Sequence, residues 1–284
     1  MYKPLLSLAT WIARVTPMPM KQAFYRLGPL TRLIRFGLNR AAPHGLSQVK
    51  VAAGALAGAS LLLDLQKEKD YWLGTYEPEL QAAVAELARP GMVAYDVGAN
   101  IGYISLLLAG AVGESGRVYA FEALPDNIER LRSNLSLNGM EERVQVVEAA
   151  VIDHSVLVQF LVGPSGGMGK AVGSAGRQRG YARSIPIPGL ALDDFVFGQG
   201  NPPPQVVKMD IEGGEVLALP GMRRVLRQHH PLFLLELHGP EAAHTAWDEL
   251  AATGYRLCQM SPGYPSVPSF EALNWKAYVV AFYG

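Results

Sequence analysis

The sequence predicts an α/β protein built on a mostly parallel sheet with helices on both faces. Three observations predict it. From residue 93 onward, short apolar runs alternate with segments of helical periodicity. The first of those runs leads into a glycine turn, Asp96-Val97-Gly98-Ala99-Asn100-Ile101-Gly102. Of the 284 residues, 49% are apolar and 18% charged, enough to bury a sizeable core and too apolar for a disordered chain.

Taken in order, residues 1–48 read as a basic helical extension and 49–284 as the α/β domain. Residues 1–63 carry eight Lys/Arg and no acid, and the remainder carries 17 basic and 25 acidic residues. Leu5–Val15 is apolar but far short of the ~20 residues that span a bilayer. No small-residue cleavage site is clear, so a cytoplasmic location is expected. Between Met20 and Leu38, apolar residues recur at three and four with basic residues between them, the pattern of an amphipathic helix. Packing on the body is its favoured role; lying on an anionic membrane surface, as a peripheral contact through residues 1–48, is the alternative.

Residues 49–65 fit two short strands around Gly54 and Gly58. Glu77–Ala88 reads as a helix with Pro78 in its first turn and Arg89-Pro90-Gly91 as its stop. Strands are expected at Val93–Val97, Arg117–Phe121, Val144–Val151, Gln205–Met209, Leu232–Leu237, Tyr255–Met260 and Ala277–Phe282. Helices are expected at Ile101–Ala111, Asp126–Asn138, Glu215–Arg227 and Ala242–Thr253, the third bent or split at Pro220.

Composition also excludes. The lone cysteine, Cys258, allows no intrachain disulfide and no Cys-rich zinc module. Balanced charge, 25 basic and 25 acidic residues, argues against a nucleic-acid partner.

Ligands of such sheets bind at the carboxyl ends of the strands. The turn at Gly98 and Gly102 permits close backbone approach, yet it is G-x-x-x-G and not the dinucleotide G-x-G-x-x-G. Asp96, at the strand's end, is a poor neighbour for a pyrophosphate and a good one for an amino group. Glu122 ends the second strand, where a carboxylate can accept from ribose hydroxyls. The pair indicates a nucleoside with a positive end and no phosphates, the composition of S-adenosylmethionine.

These residues also carry a family resemblance. Asp96–Tyr103, Phe121-Glu122-Ala123-Leu124-Pro125, Leu131–Gly139 and Lys208-Met209-Asp210-Ile211-Glu212-Gly213-Gly214-Glu215 together resemble the FkbM family of S-adenosylmethionine-dependent methyltransferases. Gly74–Glu79 and Leu192-Asp193-Asp194 are similar to it too. The resemblance covers roughly residues 49–240, with Ala123 departing from the family's usual proline. It implies a Rossmann-like, seven-stranded class I methyltransferase fold, and commonly O-methylation of sugars or secondary metabolites. By carry-over it implies that Asp96, Gly98, Ala99, Asn100 and Gly102 line the methionine end. Glu122 would hold the ribose, and Ala150, Val151 and Asp153 the adenine; Glu77 joins the cofactor set from the upstream motif.

Methyl transfer needs an aligned acceptor and often a group that removes its proton. Strand ends at 208–214 and 236–238 would bring Asp210, Glu212, Glu236 and His238 into one acidic site with a single imidazole. The preferred reading makes His238 the general base, oriented by Asp210 or Glu236. The alternatives have Asp210, Glu236 and His238 holding a divalent metal, with no metal assigned, or Glu212 and Glu236 pairing with Lys208 or Arg223 and only holding loops. His229 and His230 read as helix-terminal residues.

Residues 163–171 glance at a phosphate-binding loop, but Pro164 takes the required first glycine and Ala171 the hydroxyl residue. The glycine-rich stretch 163–189, with Lys170, Arg177, Arg179 and Arg183, reads either as a mobile lid over an anionic or polyhydroxylated acceptor or as a disordered connector. The expected function is O-methylation of a small-molecule or glycan acceptor with S-adenosylmethionine. The alternatives are a nicotinamide-dependent oxidoreductase and a non-catalytic binding protein that keeps the cofactor site.

Overall fold

The computed structural model describes residues 3–16, 20, 36, 37, 40, 42–163 and 168–284. The helix expected over 20–38 lies almost wholly outside them. The described chain forms two compact units, residues 1–81 with 133–139, and residues 82–132 with 140–284. The expected boundary at residue 48 falls inside the first.

The first unit holds helix α1 (Lys3–Val15), strands β1 (Leu46–Lys50) and β2 (Ser60–Asp64), and helix α2 (Lys69–Leu73). The two strands pair antiparallel. Gly54 and Gly58 sit in the connection between them and not within strands, because both take left-handed φ angles (78° and 90°) that a regular strand cannot use. Leu61 and Leu63 alternate inward along β2 and are fully buried. The backbone of β2 is met by two asparagines. Asn134 Oδ1 accepts from Leu62 N at 2.7 Å, and Asn138 both accepts from Ser60 N and donates to Ser60 O. A helix α3 (Pro78–Leu87) begins in this unit, with Pro78 in the first turn as expected.

The second unit carries the main sheet. In chain order come β3 (Val93–Val97), α4 (Tyr103–Val112), β4 (Arg117–Glu122), α5 (Pro125–Ser136), β5 (Val144–Glu148) and β6 (Ala150–Val151). Then come β7 (Leu157–Val162), β8 (Gly169–Ala171), β9 (Arg183–Leu190), β10 (Val206–Met209), α6 (Glu215–Ala218) and α7 (Arg223–His229). The unit closes with β11 (Leu232–His238), α8 (Pro240–Ala251), β12 (Tyr255–Gln259) and β13 (Lys276–Tyr283). The seven-stranded sheet has the order β12-β13-β11-β10-β3-β4-β5. From β11 to β5 all pairs are parallel, while β13 runs antiparallel to both β11 and β12. This is the expected Rossmann-like, mostly parallel architecture. Strands buried on both faces read as continuous apolar runs, which is why they were legible.

The core beneath the sheet is aromatic. Tyr95, Tyr119, Phe121 and Phe195 meet at ring-centroid distances of 5.1–5.7 Å in edge-on or tilted pairs. The Tyr95 hydroxyl donates to the Pro202 carbonyl at 2.6 Å, so its burial leaves no orphan. The helical segment 215–229 breaks at Leu219-Pro220 into α6, a short 3-10 turn and α7, as Pro220 foretold.

The stretch after β5 differs from expectation. It is not one long loop but a second, four-stranded sheet, order β6-β9-β7-β8. Strand β9 hid itself because Pro186 and Pro188 break its propensity. Two residues apart, they share one class of ladder position, so the strand still pairs with β7 along its length.

Candidate active site

The site is built where β3, β4, β10 and β11 end side by side. Asp96 lies beside Ala120 of β4 and Lys208 of β10 in the sheet register. Its carboxylate is fully buried and engaged twice. Oδ2 accepts from the Ser105 hydroxyl at 2.6 Å, and Oδ1 pairs with Lys208 Nζ at 3.1 Å. Lys208 also donates to the carbonyls of Gly98 (2.8 Å) and Val97 (3.4 Å). An acid read as a contact for the ligand's amino group is thus the anchor of the turn, and Lys208, read from sequence only as a loop partner of Glu212 or Glu236, is its counter-charge.

The turn is rigid. Gly98 N and Ala99 N donate to the Phe121 carbonyl, and Gly102 N to Ala99 O. Gly98 has φ 81°, and a Cβ there would collide with the Asp210 carbonyl. Gly102 has φ 88° and opens α4 against the Leu131 side chain. Asn100 tolerates φ 51° and donates its N–H to Glu122 Oε2 at 2.8 Å. Glu122 Oε1 accepts from Leu124 N and the Asn127 amide. Burial pushes the Glu122 carboxyl above its ordinary value, and these hydrogen bonds only partly offset that.

Strands β10 and β11 pair in register, so Asp210 follows Met209 next to Glu236. His238 Nε2 lies 2.9 Å from Glu236 Oε1 and 3.9 Å from Glu212; Nδ1 lies 3.8 Å from Asp210 and 3.9 Å from Glu215. All four sequence-predicted acceptor-side residues do meet. Two further members were missed. Glu215, completely buried, accepts from Ile211 N and faces the imidazole. Lys276, opposite His238 across the β11–β13 pair, forms an ion pair with Glu236. The repeated acids in 210–215 could have suggested Glu215; no local pattern points from Lys276 to His238.

Burial works against a charged imidazole at His238, but the carboxylates of Glu215, Glu236 and Asp210 outweigh it and push its pKa up to about 10. In this state His238 is a cation near neutral pH, with no lone pair to receive a proton. For Glu236, burial opposes ionisation, but hydrogen bonds from His238 and Lys276 win and hold its pKa below the usual range. Glu212 carries the most exposed carboxylate of the group, on a left-handed backbone at φ 57°.

The segment expected to be a lid is attached to this cluster. Ala175 N donates to Gly213 O at 2.9 Å, and Gly213 (φ 95°) has no room for a Cβ beneath the Ala175 carbonyl. Lys170, buried, donates to the carbonyls of Ser174 (3.2 Å) and Ala175 (2.5 Å), which explains why it serves no phosphate loop. Arg177, Arg179 and Arg183 are exposed.

The remaining residues are placed as follows. Ala150 and Val151 form β6, just past the end of β5, and are buried. Asp153 is exposed, its carboxylate 2.5 Å from His154 Nδ1. Glu77 stands in the first unit with φ 43°, its carbonyl accepting from Gln81 N. Asp193 accepts from Arg224 N and Val225 N, capping α7. His230 ends α7 in a left-handed conformation and stacks on Tyr283.

The family model of the methyltransferase FkbM domain matches residues 96–257, more than half of the chain. A protein-L-isoaspartate O-methyltransferase of Aeropyrum pernix is 48% identical over 59 residues, a match covering 21% of this chain and 23% of that protein. Among solved structures, an FkbM methyltransferase of Methylobacillus flagellatus KT overlaps 77% of this chain and 53% of its own length, at 19% identity and TM-score 0.43. Fibrillarin of Aeropyrum pernix with bound S-adenosyl-L-methionine overlaps 71% of this chain and 73% of its own, at 11% identity and TM-score 0.40. Neither overlap reaches a TM-score of 0.5, so the domain match carries the assignment. It begins at Asp96, takes in Glu122 and Asp210–Glu215, and continues through His238: the chain belongs to the FkbM family of S-adenosylmethionine-dependent methyltransferases.

Proposed function

We propose that this chain methylates a hydroxyl of a small polyhydroxylated acceptor, a sugar, a glycan end or a related metabolite. The observation that carries the reading is the meeting of a phosphate-free glycine turn and Glu122 with one imidazole among four carboxylates, all at neighbouring strand ends. The residues fit S-adenosylmethionine. The turn leaves no Cβ at Gly98, its lysine is neutralised by Asp96, and Glu122 offers a buried carboxylate for a ribose. When bound, that cofactor supplies a methyl group on a sulfonium, open to in-line attack.

Gly98, Ala99, Asn100 and Gly102 would line its methionine end and Glu122 its ribose, with Ala150, Val151 and Asp153 beside the adenine. Asp96 acts by holding the turn. With that cofactor bound, the acceptor oxygen would take the methyl carbon as the carbon–sulfur bond breaks, and Glu212 would receive its proton. The base role moves there from His238, which the surrounding carboxylates keep protonated. The exposed arginines of 177–183 suit an anionic or hydroxyl-rich acceptor.

Calorimetric titration with S-adenosylmethionine, and separately with NADH, tests the reading. Saturable S-adenosylmethionine binding that weakens about 10- to 100-fold in Glu122→Ala is expected. Binding of NADH in its place would overturn it in favour of an oxidoreductase.

A peripheral membrane contact is the second proposal, carried by α1. Leu8, Trp11, Ile12 and Val15 recur at helical spacing and are 47–60% exposed, in a stretch of 63 residues with eight basic groups and no acid. Among the described residues no helix is long and apolar enough to cross a membrane. Deletion of residues 3–15 is expected to abolish flotation with anionic liposomes; equal flotation with and without them refutes the contact.

A further inference from the structure

We propose that Trp275 is the platform on which the acceptor lies, and that the acceptor is a sugar ring without an acid group, its C–H face on the indole and its hydroxyls on the neighbouring carboxylates. The proposal rests on the methyl transfer proposed above and deepens it at the same site. No local motif marks Trp275, which immediately precedes β13. Its position, its fixed backbone and its exposure carry the inference. The indole stands edge-on to His238, with ring centroids 6.2 Å apart and planes at 82°. It therefore flanks the imidazole about which Asp210, Glu212, Glu215 and Glu236 gather. The Trp275 carbonyl accepts from Gly239 N at 2.6 Å, and the next residue, Lys276, pairs with Glu236. An aromatic side chain held in place before its ligand arrives loses little freedom on binding.

Trp275 is nevertheless 52% exposed. The other aromatic rings of this region are already engaged and less exposed: Lys170 lies over the Tyr181 ring at 5.6 Å and Lys276 over the Tyr278 ring at 5.2 Å. The chemistry around the indole names the class of ligand. A sugar ring presents a flat face of C–H groups ringed by hydroxyls. The C–H groups suit the negative face of an indole. The hydroxyls donate to carboxylates, which can only accept. Glu212 and Asp210 keep 39% and 20% of their side chains in water, open to such donors. The cations of the cluster, His238 and Lys276, are fewer than its carboxylates, and Lys170 gives its ammonium to backbone carbonyls. An acid group on the ring would therefore meet like charge.

The test sets the full chain on an array of immobilised glycans that end in neutral hexoses or in uronic acids, and reads it twice. Retention of dye-labelled protein reports binding without cofactor. Transfer of tritium from methyl-labelled S-adenosylmethionine reports reaction. Neutral ends are expected to be retained and labelled in preference to uronic acids. On the best neutral acceptor, Trp275→Ala should weaken retention and raise KM about tenfold or more with kcat little changed, since a platform holds ground and transition states alike. Trp275→Phe should restore most of that affinity and Trp275→Leu little of it, a difference that mere filling of space would not produce. The surface variant Leu157→Ser should change neither reading. Circular dichroism checks the fold of each variant. No retention of neutral glycans by the wild-type chain, a preference for uronic acids, or an affinity that Trp275→Ala leaves intact overturns the platform. A parallel S-adenosylmethionine titration keeps the two readings apart: cofactor binding with no glycan retained removes the platform alone, and glycan retention with no cofactor binding removes the methyl-transfer reading.

Discussion

Burial tunes Glu122 in the direction a ligand can reverse. Its carboxyl is raised above 4.5 in the folded protein, so stability from this group is full below 4.5 and is lost as pH climbs through the folded value. Ribose hydroxyls donate to the ionised form. Cofactor binding is therefore expected to release a proton and to tighten as pH rises through that window, which calorimetry in buffers of different ionisation enthalpy reads directly. At Glu212 the expected effect is kinetic. Glu212→Gln should lower kcat by about 10²- to 10⁴-fold with little change in cofactor affinity. A fall in cofactor affinity with kcat unchanged would deny it the proton. Local sequence made Asp96 and Glu122 legible, Asp96 by the glycine turn it enters and Glu122 by its place at the end of the next strand. The use each is put to was not legible. Whether Asp96 faces a ligand or a lysine depends on the neighbour across the sheet, and Lys208 lies more than a hundred residues away.

At the scale of elements, the turn after β10 and the segment after β8 hold one another. Gly213 lies under the Ala175 carbonyl, and Lys170 gathers the carbonyls of Ser174 and Ala175 from behind. Gly213→Ala is expected to cost about 1–3 kcal/mol in stability, since it strains a left-handed φ and meets backbone. Chemical denaturation measures this. Lys170→Met should preserve bulk but free the two carbonyls, and faster amide hydrogen exchange at residues 174–176 is the expected signature. Unchanged exchange there would show that the Gly213 contact suffices. Main-sheet elements were readable because both faces are buried and the apolar runs are unbroken. Strands β8 and β9 were not, because glycine and proline interrupt them and their pairing supplies what propensity lacks; β7 is a readable apolar run whose partners were not.

For the whole molecule, charge is arranged along the chain. The first 63 residues carry a net +8 that the rest cancels. Liposome binding through α1 should weaken steeply between low and physiological salt, as exposed charges are screened within about 8–10 Å. Insensitivity to salt would leave only the apolar stripe to account for it. The division into two units, with residues 133–139 joining the first, was beyond sequence reasoning, since the hydrogen bonds that tie Asn134 and Asn138 to β2 reach across more than seventy residues of chain.

The antiparallel strand β13 has a consequence for the order of events during synthesis. It follows β12 in sequence but lies between β12 and β11 in the sheet. A nascent chain that has emerged only as far as Gln259 has nowhere to dock β12, and β11 presents an open edge. The same strand delivers Lys276 to Glu236, so the charge balance of the acidic cluster is completed only once β13 has been made. Sheet closure and assembly of the His238 cluster are thus one step, taken only after β13 is made. A stalled or prematurely ended chain would expose a sticky apolar edge and carry no functional centre.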